Sequence, residues 1–553
     1  MRKFGNMASW AWSVCVGVLI WAGMSNSNAT YAEEPLHRRV DALILAAAGE
    51  HKPAPLTDDA EFLRRIYLDL TGRIPTFEEA NEFLQSSEAD KRAKLVDQLL
   101  AGPEYPQRMH DLFHLWLMER LGENEQWSNY LRKSFEENKP WDQMVREMLL
   151  PDAPSEDLRG AAFFVVKRLE NYGQNPVDHP SLTADVGRLL LGKDFKCAQC
   201  HNHLFIDDYK QADFQGLFAF FQDTYIRRDV QYPAVGEKML TKKYEFKSVF
   251  ETDSFETGPR VPGLEEVAIP TFAKGEEFLI PPDKKTKFPG KYKFSPLENL
   301  AQQLPTAENE AFCRNIANRL WFIMLGRGIV HPLELHHTGN PPSHPELLDL
   351  LAQELAAQKF NIRWLLREIA LSETYQRSSA YPTASLPPED RFLAGLEKRI
   401  SAEQLCLSML TATGERPRYV EPLKSEDKAK AKAAQTAWVD LQKKFIKAFA
   451  NPPREPEVEY APSLEAVLFV LNEDTILSWL APRDDNLAAR LASQADSSAL
   501  IEQLYLSVLT RRPTTDETQQ LSAYLKKHAD QREKAIKHMM WALLASTEFN
   551  LNH

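Results

Sequence analysis

Cysteine is scarce in this 553-residue chain: five residues, too few for a disulfide scaffold. Glycine is scarce too. Its 22 residues are about 4% of the chain, against a usual ~7%, which disfavours a turn-dense β-barrel or an elaborate glycine-looped nucleotide enzyme. A basic excess is missing. The formal net charge is −12, so the basic face that nucleic acid demands is not available. Long apolar runs are confined to the first 24 residues; nothing later approaches the ~18 residues of a membrane span. Familiar enzyme signatures are also absent. There is no G-x-S-x-G, H-E-x-x-H or G-x-x-x-x-G-K-[ST], and Gly326-Arg327-Gly328 lacks a third glycine at the dinucleotide spacing.

What is present is an apolar fraction of 43%, enough for a sizeable core. At roughly 100–200 residues per domain, the length predicts two to four domains. Arg2 and Lys3 precede an apolar stretch running to Met24, and Thr30-Tyr31-Ala32 stands before Glu33-Glu34. That order predicts a signal peptide over 1–32, with a cut after Ala29 as the alternative. Its removal leaves a net charge of −14. The competing reading is an uncleaved anchor, the only membrane contact expected, although Ser13, Cys15 and two glycines weaken it as a span. Either way the chain is expected to be exported, periplasmic or extracellular. In that oxidising space Cys197, Cys200, Cys313 and Cys406 can be oxidised or carry a cofactor.

Apolar spacing is helical almost throughout. Phe62, Leu63, Ile66, Tyr67 and Leu70 recur at three and four, as do Met109, Leu112, Phe113, Trp116 and Leu117. Ser343-His344-Pro345-Glu346 reads as a helix start with a serine cap. Strand-like alternation occurs only over 244–250 and 265–269, within a Pro/Gly/Lys-rich zone at 226–296. Residues 424–447 read as a charged helix with a solvated face, and 451–462 as a proline-rich loop. An internal repeat runs through the chain. LRRIYLDLTGRIPTFEEAN (63–81) with LVDQLLAGPEY (95–105) parallels IEQLYLSVLTRRPTTDETQ (501–519) with MMWALLASTEF (539–549). In both, the threonine after Arg-x-Pro is placed to cap an acidic helix start. A weaker copy pairs 320–327 with 365–375. Reuse of one helical hairpin accounts for all three. The expected fold is all-α: a multi-helical two-domain protein with helical-hairpin repeats and a small irregular or β insert between the domains, divided as 36–225, 226–296 and 297–553.

One motif carries chemistry. Residues 195–205 read FKCAQCHNHLF, so Cys197, Cys200 and His201 make the C-x-x-C-H of c-type haem attachment. Two thiols one turn apart can meet the two vinyl groups of one haem, and the next histidine can ligate its iron. Two other uses stay open. Cys197, Cys200, His201 and His203 form an S₂N₂ set suited to zinc, and the cysteines can form a disulfide. His110, His114 and Met118, on one face at i, i+4 and i+8, are distal-ligand candidates, though core packing explains them more simply. His179 stands beside Pro180 in an expected loop, and His336, His337 and His344 flank another. Asp207, Asp208 and Asp213 follow the motif.

The chain resembles the planctomycete-type secreted cytochrome-like proteins. These join a cytochrome-like domain to a planctomycete-specific C-terminal domain, both of unknown function. The first domain is matched by YLDLTGRIPTFEEANEFL (67–84), LVDQLLAGPEY (95–105), NKPWDQMVREML (138–149) and LGKDFKCAQCHNH (191–203). The second is matched by 318–355, LREIALSETYQRSS (366–379), SLEAVLFVLNEDTI (463–476) and WALLASTEFNLNH (541–553). The resemblance implies export and carries the C-x-x-C-H element onto Cys197, Cys200 and His201. Members usually continue as His-Pro-Phe-Asp; here His203 is followed by Leu204-Phe205-Ile206, with Asp207 one place later. Three functions are therefore expected in descending order. The first is a haem c electron carrier serving an exported redox partner. The second is a non-redox helical scaffold stapled by zinc or a disulfide. The third is a metal-dependent hydrolase of extracellular polymer using His201, His203 and Asp207.

Overall fold

An apolar face defines each helix at the start of the chain, and side-chain caps start several of them. In a computed structural model, residues 34–153, 155–170, 177–381, 386–455, 469 and 472–553 are described. The expected signal peptide lies outside them. Helix α1 (Leu36–Ala46) buries Leu36, Val40 and Ile44, one stripe at i, i+4 and i+8. Helix α2 (Asp59–Thr71) starts where the Asp58 side chain accepts the Glu61 N–H and stops at Gly72, whose φ of 77° belongs to the left-handed region. It is followed by α3 (Phe77–Gln85), α4 (Lys91–Ala101), α5 (Tyr105–Met118), α6 (Glu125–Glu136), α7 (Trp141–Leu149), α8 (Phe163–Leu169), α9 (His179–Leu191) and α10 (Gln211–Phe221).

The 226–296 zone holds small antiparallel pairs. Strands β1 (Thr224–Ile226) and β2 (Val235–Glu237) pair, as do β3 (Tyr244–Lys247) with β4 (Ser254–Thr257) and β5 (Phe278–Ile280) with β6 (Lys291–Tyr292). The alternation at 265–269 makes no strand; its backbone bonds through Val267 N to Pro259 O, and the Glu266 side chain accepts from Lys243 and Thr257. Alternation builds a ladder only where a second strand is in reach. Helices resume with α11 (Pro296–Gln303), α12 (Glu310–Leu325), α13 (Pro345–Ala357) and α14 (Ile362–Leu371). The last begins at the asparagine cap Asn361. Helix α13 opens at Pro345 as expected, but the serine cap is not used. His344 occupies the cap position and the Ser343 hydroxyl is bound to Ile329 O. Strand β7 (Lys398–Arg399) pairs with β8 (Leu551–Asn552). Between them run α15 (Ala402–Thr413), α16 (Arg416–Val420), α17 (Lys428–Phe449) and the helices Asp474–Trp479, Leu487–Ser493, Ser497–Leu509, Thr515–Lys527 and Arg532–Leu544. Helix α17 buries only Leu441, Phe445 and Ala448, so its other faces are solvated as its composition suggests. The protein is all-α with minor two-stranded sheets.

Residues 36–553 form one compact unit, and its cores do not follow the sequence boundaries. One core joins α1–α9 to α11–α14, with α1 against α13 and α14, and α9 against α12. The other gathers 400–549 around Leu68 and Ile74 from the first segment. The repeat explains part of this interlock. Thr76 and Thr514 are both N-caps with complete capping boxes, closed by Glu79 and Glu517. The arginine of each Arg-x-Pro-Thr then grips two carboxylates. Arg73 binds Glu79 at 2.7 Å and Glu104 at 2.8 Å; Arg511 binds Glu517 at 2.9 Å and Glu548 at 2.6 Å. Each guanidinium also lies 5.2 Å from the centroid of the repeat tyrosine, Tyr67 or Tyr505. The copies touch directly: Arg64 Nη2 donates to Phe549 O at 2.7 Å, and α3 packs on the Ser497–Leu509 helix.

Candidate functional site

Helix α9 delivers the cysteine motif. It ends at Gly192, whose φ is 70°, and a β-carbon there would lie 2.7 Å from His336 Cδ2, so glycine is required twice over. Gly187 gives way to the Phe195 ring in the same manner, at 2.6 Å. The chain then runs beside 334–336. Asp194 N donates to Glu334 O at 3.1 Å and His336 N to Gly192 O at 3.0 Å. Residues Lys196–Gln199 make a 3₁₀ turn. With about three residues per turn, positions three apart share a side. Phe195 and Ala198 therefore face inward, buried with Ala184, Tyr209 and Phe214. Cys197 and Cys200 share the outer side, exposed and unpaired. Burying Phe195 contributes about 2 kcal/mol to holding the turn.

Neighbours clamp the turn from behind. Gln215 Nε2 donates to Gln199 O at 2.7 Å, Val249 N to Cys200 O at 3.0 Å, and Gln211 N to Asn202 Oδ1 at 2.9 Å. The two histidines present opposite nitrogens. His201 Nδ1 lies 2.6 Å from Asn202 O, a carbonyl that only accepts, so Nδ1 carries the proton and Nε2 is the free lone pair. The ring sits 4.8 Å from Phe250. His203 Nδ1 instead accepts from Phe205 N at 3.2 Å and Ile206 N at 3.0 Å, which puts its proton on Nε2. His203 organises the following turn, while His201 has the nitrogen a metal would use. Leu204, Phe205, Val249 and Phe250 surround the motif as exposed apolar side chains, Phe205 at 90%. Two outward thiols, an oriented imidazole and an apolar surround are a donor set that fits a c-type haem. Among the described residues no group of three or more His, Cys, Asp or Glu side chains converges to hold a bare ion.

The other candidates have separate roles. Helix α5 packs on α2, α4 and α6, whereas the cysteine turn packs on α9 and α10. On α5, His110 bonds Asp111 at 2.8 Å, His114 accepts the Trp127 indole N–H at 2.9 Å, and Met118 is fully buried. His179 begins α9 rather than standing in a loop, and its Nε2 donates to Thr224 O at 2.8 Å. Burial takes the His336 pKa down to about 3, so it is neutral beside Asn318. His337 Nδ1 accepts from Gly339 N at 3.1 Å, and His344 is buried against Phe392. Asp207 is exposed, Asp208 binds the Thr338 hydroxyl at 2.9 Å, and Asp213 pairs with Arg260 at 3.3 Å. Cys313 and Cys406 are buried and unpaired in different cores; burial pushes the Cys313 thiol up to about 12.

Sequence reasoning missed a buried ion network at the exit of α5. Arg188 takes Glu119 in two bonds of 2.6 Å and Glu334 at 2.8 Å; Asp185 joins it to Arg168 at 2.9 Å. Glu119 and Arg120 have φ of 45° and 57°, left-handed without glycine. The only available signal was the row of charges inside otherwise apolar helices.

Residues 39–225 match a family described as PSCyt2, a protein of unknown function (DUF1549), and 298–525 match PSD1, a protein of unknown function (DUF1553). No curated protein and no solved structure matches the chain.

Proposed function

We propose, for a chain that belongs to the cytochrome-like family pairing PSCyt2 with PSD1, that it is an exported c-type haem protein passing electrons to an exported redox partner. Cys197 and Cys200 are the attachment thiols and His201 the axial ligand. The observation that carries this reading is the 3₁₀ turn itself: both thiols outward, with the neighbouring imidazole oriented to present Nε2. Bound there, the haem supplies a one-electron couple. The chain's own part is positional. Asn202 O fixes the His201 tautomer, Phe250 packs beside the ring, and Val249 N and Gln215 hold the turn's carbonyls. Leu204 and Phe205 offer an exposed apolar contact for a macrocycle edge or a partner.

The test is a pyridine haemochrome spectrum on protein exported from a host with c-type maturation machinery, beside Cys197→Ser. A c-type spectrum that the substitution abolishes is the expected result. Haem-free protein would overturn the reading and leave the stapled scaffold, which thiol titration and zinc content would then resolve. His201→Ala should change the axial-ligand signature of the haem spectrum.

A further inference from the structure

A cavity of about 750 Å³ is lined by residues of α5 and α12, by segment 332–335 and by residues around β7. That volume lies within the range of small-molecule sites. Its walls alternate apolar side chains, Leu112, Leu115, Trp116, Phe322, Ile323 and Leu333 among them, with charged ones of both signs. Arg319 stands in this wall at only 6% exposure. Three contacts fix its guanidinium. Nε donates to Asn315 Oδ1 at 3.2 Å. Nη2 donates to Arg188 O at 3.3 Å and reaches Glu334 Oε1 at 3.4 Å. The plane lies over Trp116, with Cζ 4.7 Å from the ring centroid.

Nη1 has no hydrogen bond or ion pair among the described residues, and it is not sealed from solvent. A rigidly held, buried guanidinium with two idle N–H donors is costly until an acceptor meets them. The inner carboxylates are already committed. Asp69 accepts from Lys398 at 2.7 Å, Tyr375 at 2.9 Å and Asn552 at 2.8 Å. Glu119 and Glu334 hold Arg188, Glu403 pairs with Arg120, Asp111 accepts from Gln107 Nε2 at 2.8 Å and Asp194 from Lys196 N at 3.0 Å. Glu397 and Glu455 line the cavity at exposed positions, where water and salt screen them. The left-handed backbone at Glu119 borders the same space.

We propose that this cavity binds a small amphipathic organic anion, with an oxyanion oxygen on Arg319 Nη1 and an apolar body against Leu112, Trp116 and Phe322. The proposal does not rest on haem at Cys197. It is tested by fluorescence titration of the full chain with anilinonaphthalene sulfonate and with phenylnaphthylamine, which lacks the charge. The sulfonate should bind once per chain and be displaced by decanoate, and the neutral dye should bind at least about tenfold more weakly. Arg319→Gln should bring the two dyes within about twofold of each other. Leu112→Trp, whose larger ring intrudes on the space proposed for the apolar body and leaves the arginine, should weaken both. Equal affinity of the unaltered chain for the two dyes would overturn the proposal. So would sulfonate binding that Leu112→Trp leaves intact, which places the dye on exposed apolar surface, or no binding at all. If Arg319→Gln does not fold, the unaltered chain's preference and Leu112→Trp still decide.

Discussion

Replacing Arg73 by methionine should cost about three times the stability lost on replacing Arg511. The two arginines make the same contacts at different depths. The Arg73 side chain is 6% exposed, between Glu79 and Glu104 at 32% and 24%. Arg511 is 28% exposed, between Glu517 and Glu548 at 29% and 31%. Removing Arg73 leaves Glu79 without a cation, though Glu104 keeps Arg416, and loss of a buried pair costs about 3 kcal/mol, whereas a water-screened pair is worth about 1 kcal/mol or less. Urea midpoints at neutral pH for the parent, Arg73→Met and Arg511→Met measure the difference. Equal losses, or a larger one at Arg511, would refute burial as the deciding quantity. The outer hub also has a pH signature. Arg511 holds the Glu517 carboxyl down to about 2, against an ordinary 4.5. A depressed carboxylate pKa contributes stability that is fully present above the ordinary value and lost as pH falls through the folded one. The gap between the parent and Arg511→Met should therefore close between about pH 4.5 and 2.

Three further perturbations test other parts of the structure. Burial raises the Glu237 carboxyl to about 7, although the Ser295 hydroxyl and Leu297 N–H favour its anion. Its ionisation thus costs stability as pH rises from the ordinary range towards 7, and Glu237→Gln should gain about 2–3 kcal/mol at pH 8 and nothing at pH 4. Melting curves at both pH values check this, and an equal gain at both would point to packing instead. Lys398→Met leaves Asp69 buried with only Tyr375 and Asn552 donating, an expected loss of about 3 kcal/mol. Adding Asp69→Asn should recover part of it in a double-mutant cycle; additive losses would contradict the pairing. His114→Phe strips the Trp127 indole N–H of its partner, for about 1–2 kcal/mol, and should leave the axial-ligand spectrum of haem-loaded protein unchanged. A changed spectrum would return α5 to candidacy as the distal side.

The features legible in the sequence act over a few residues. Thr76 and Thr514 cap helices three residues from Glu79 and Glu517, so each box closes inside a single segment. The shared outer side of Cys197 and Cys200 follows from a spacing of three on a tight turn. The solvated faces of α17 follow from its lysines, and the duplicated arginine turn was visible as a repeated string. The misreadings share one cause. Alternation at 265–269 needs a partner strand, and Ser343 was drawn off by Ile329 O. In each case the deciding atom lies well outside the local window.

The sequence by itself determined that the chain is helical, where its caps and cysteine turn lie, and which family it joins, because periodicity and capping are set by neighbours along the backbone. Only the tertiary structure decided that both segments share their cores, that Arg188 meets Glu119 across 69 positions and Glu334 across 146, and that Arg319 lines a cavity with Nη1 unbonded among the described residues. A buried charge is stabilised by whichever opposite charge folding brings within about 3 Å, and that choice is made by packing rather than by distance along the chain.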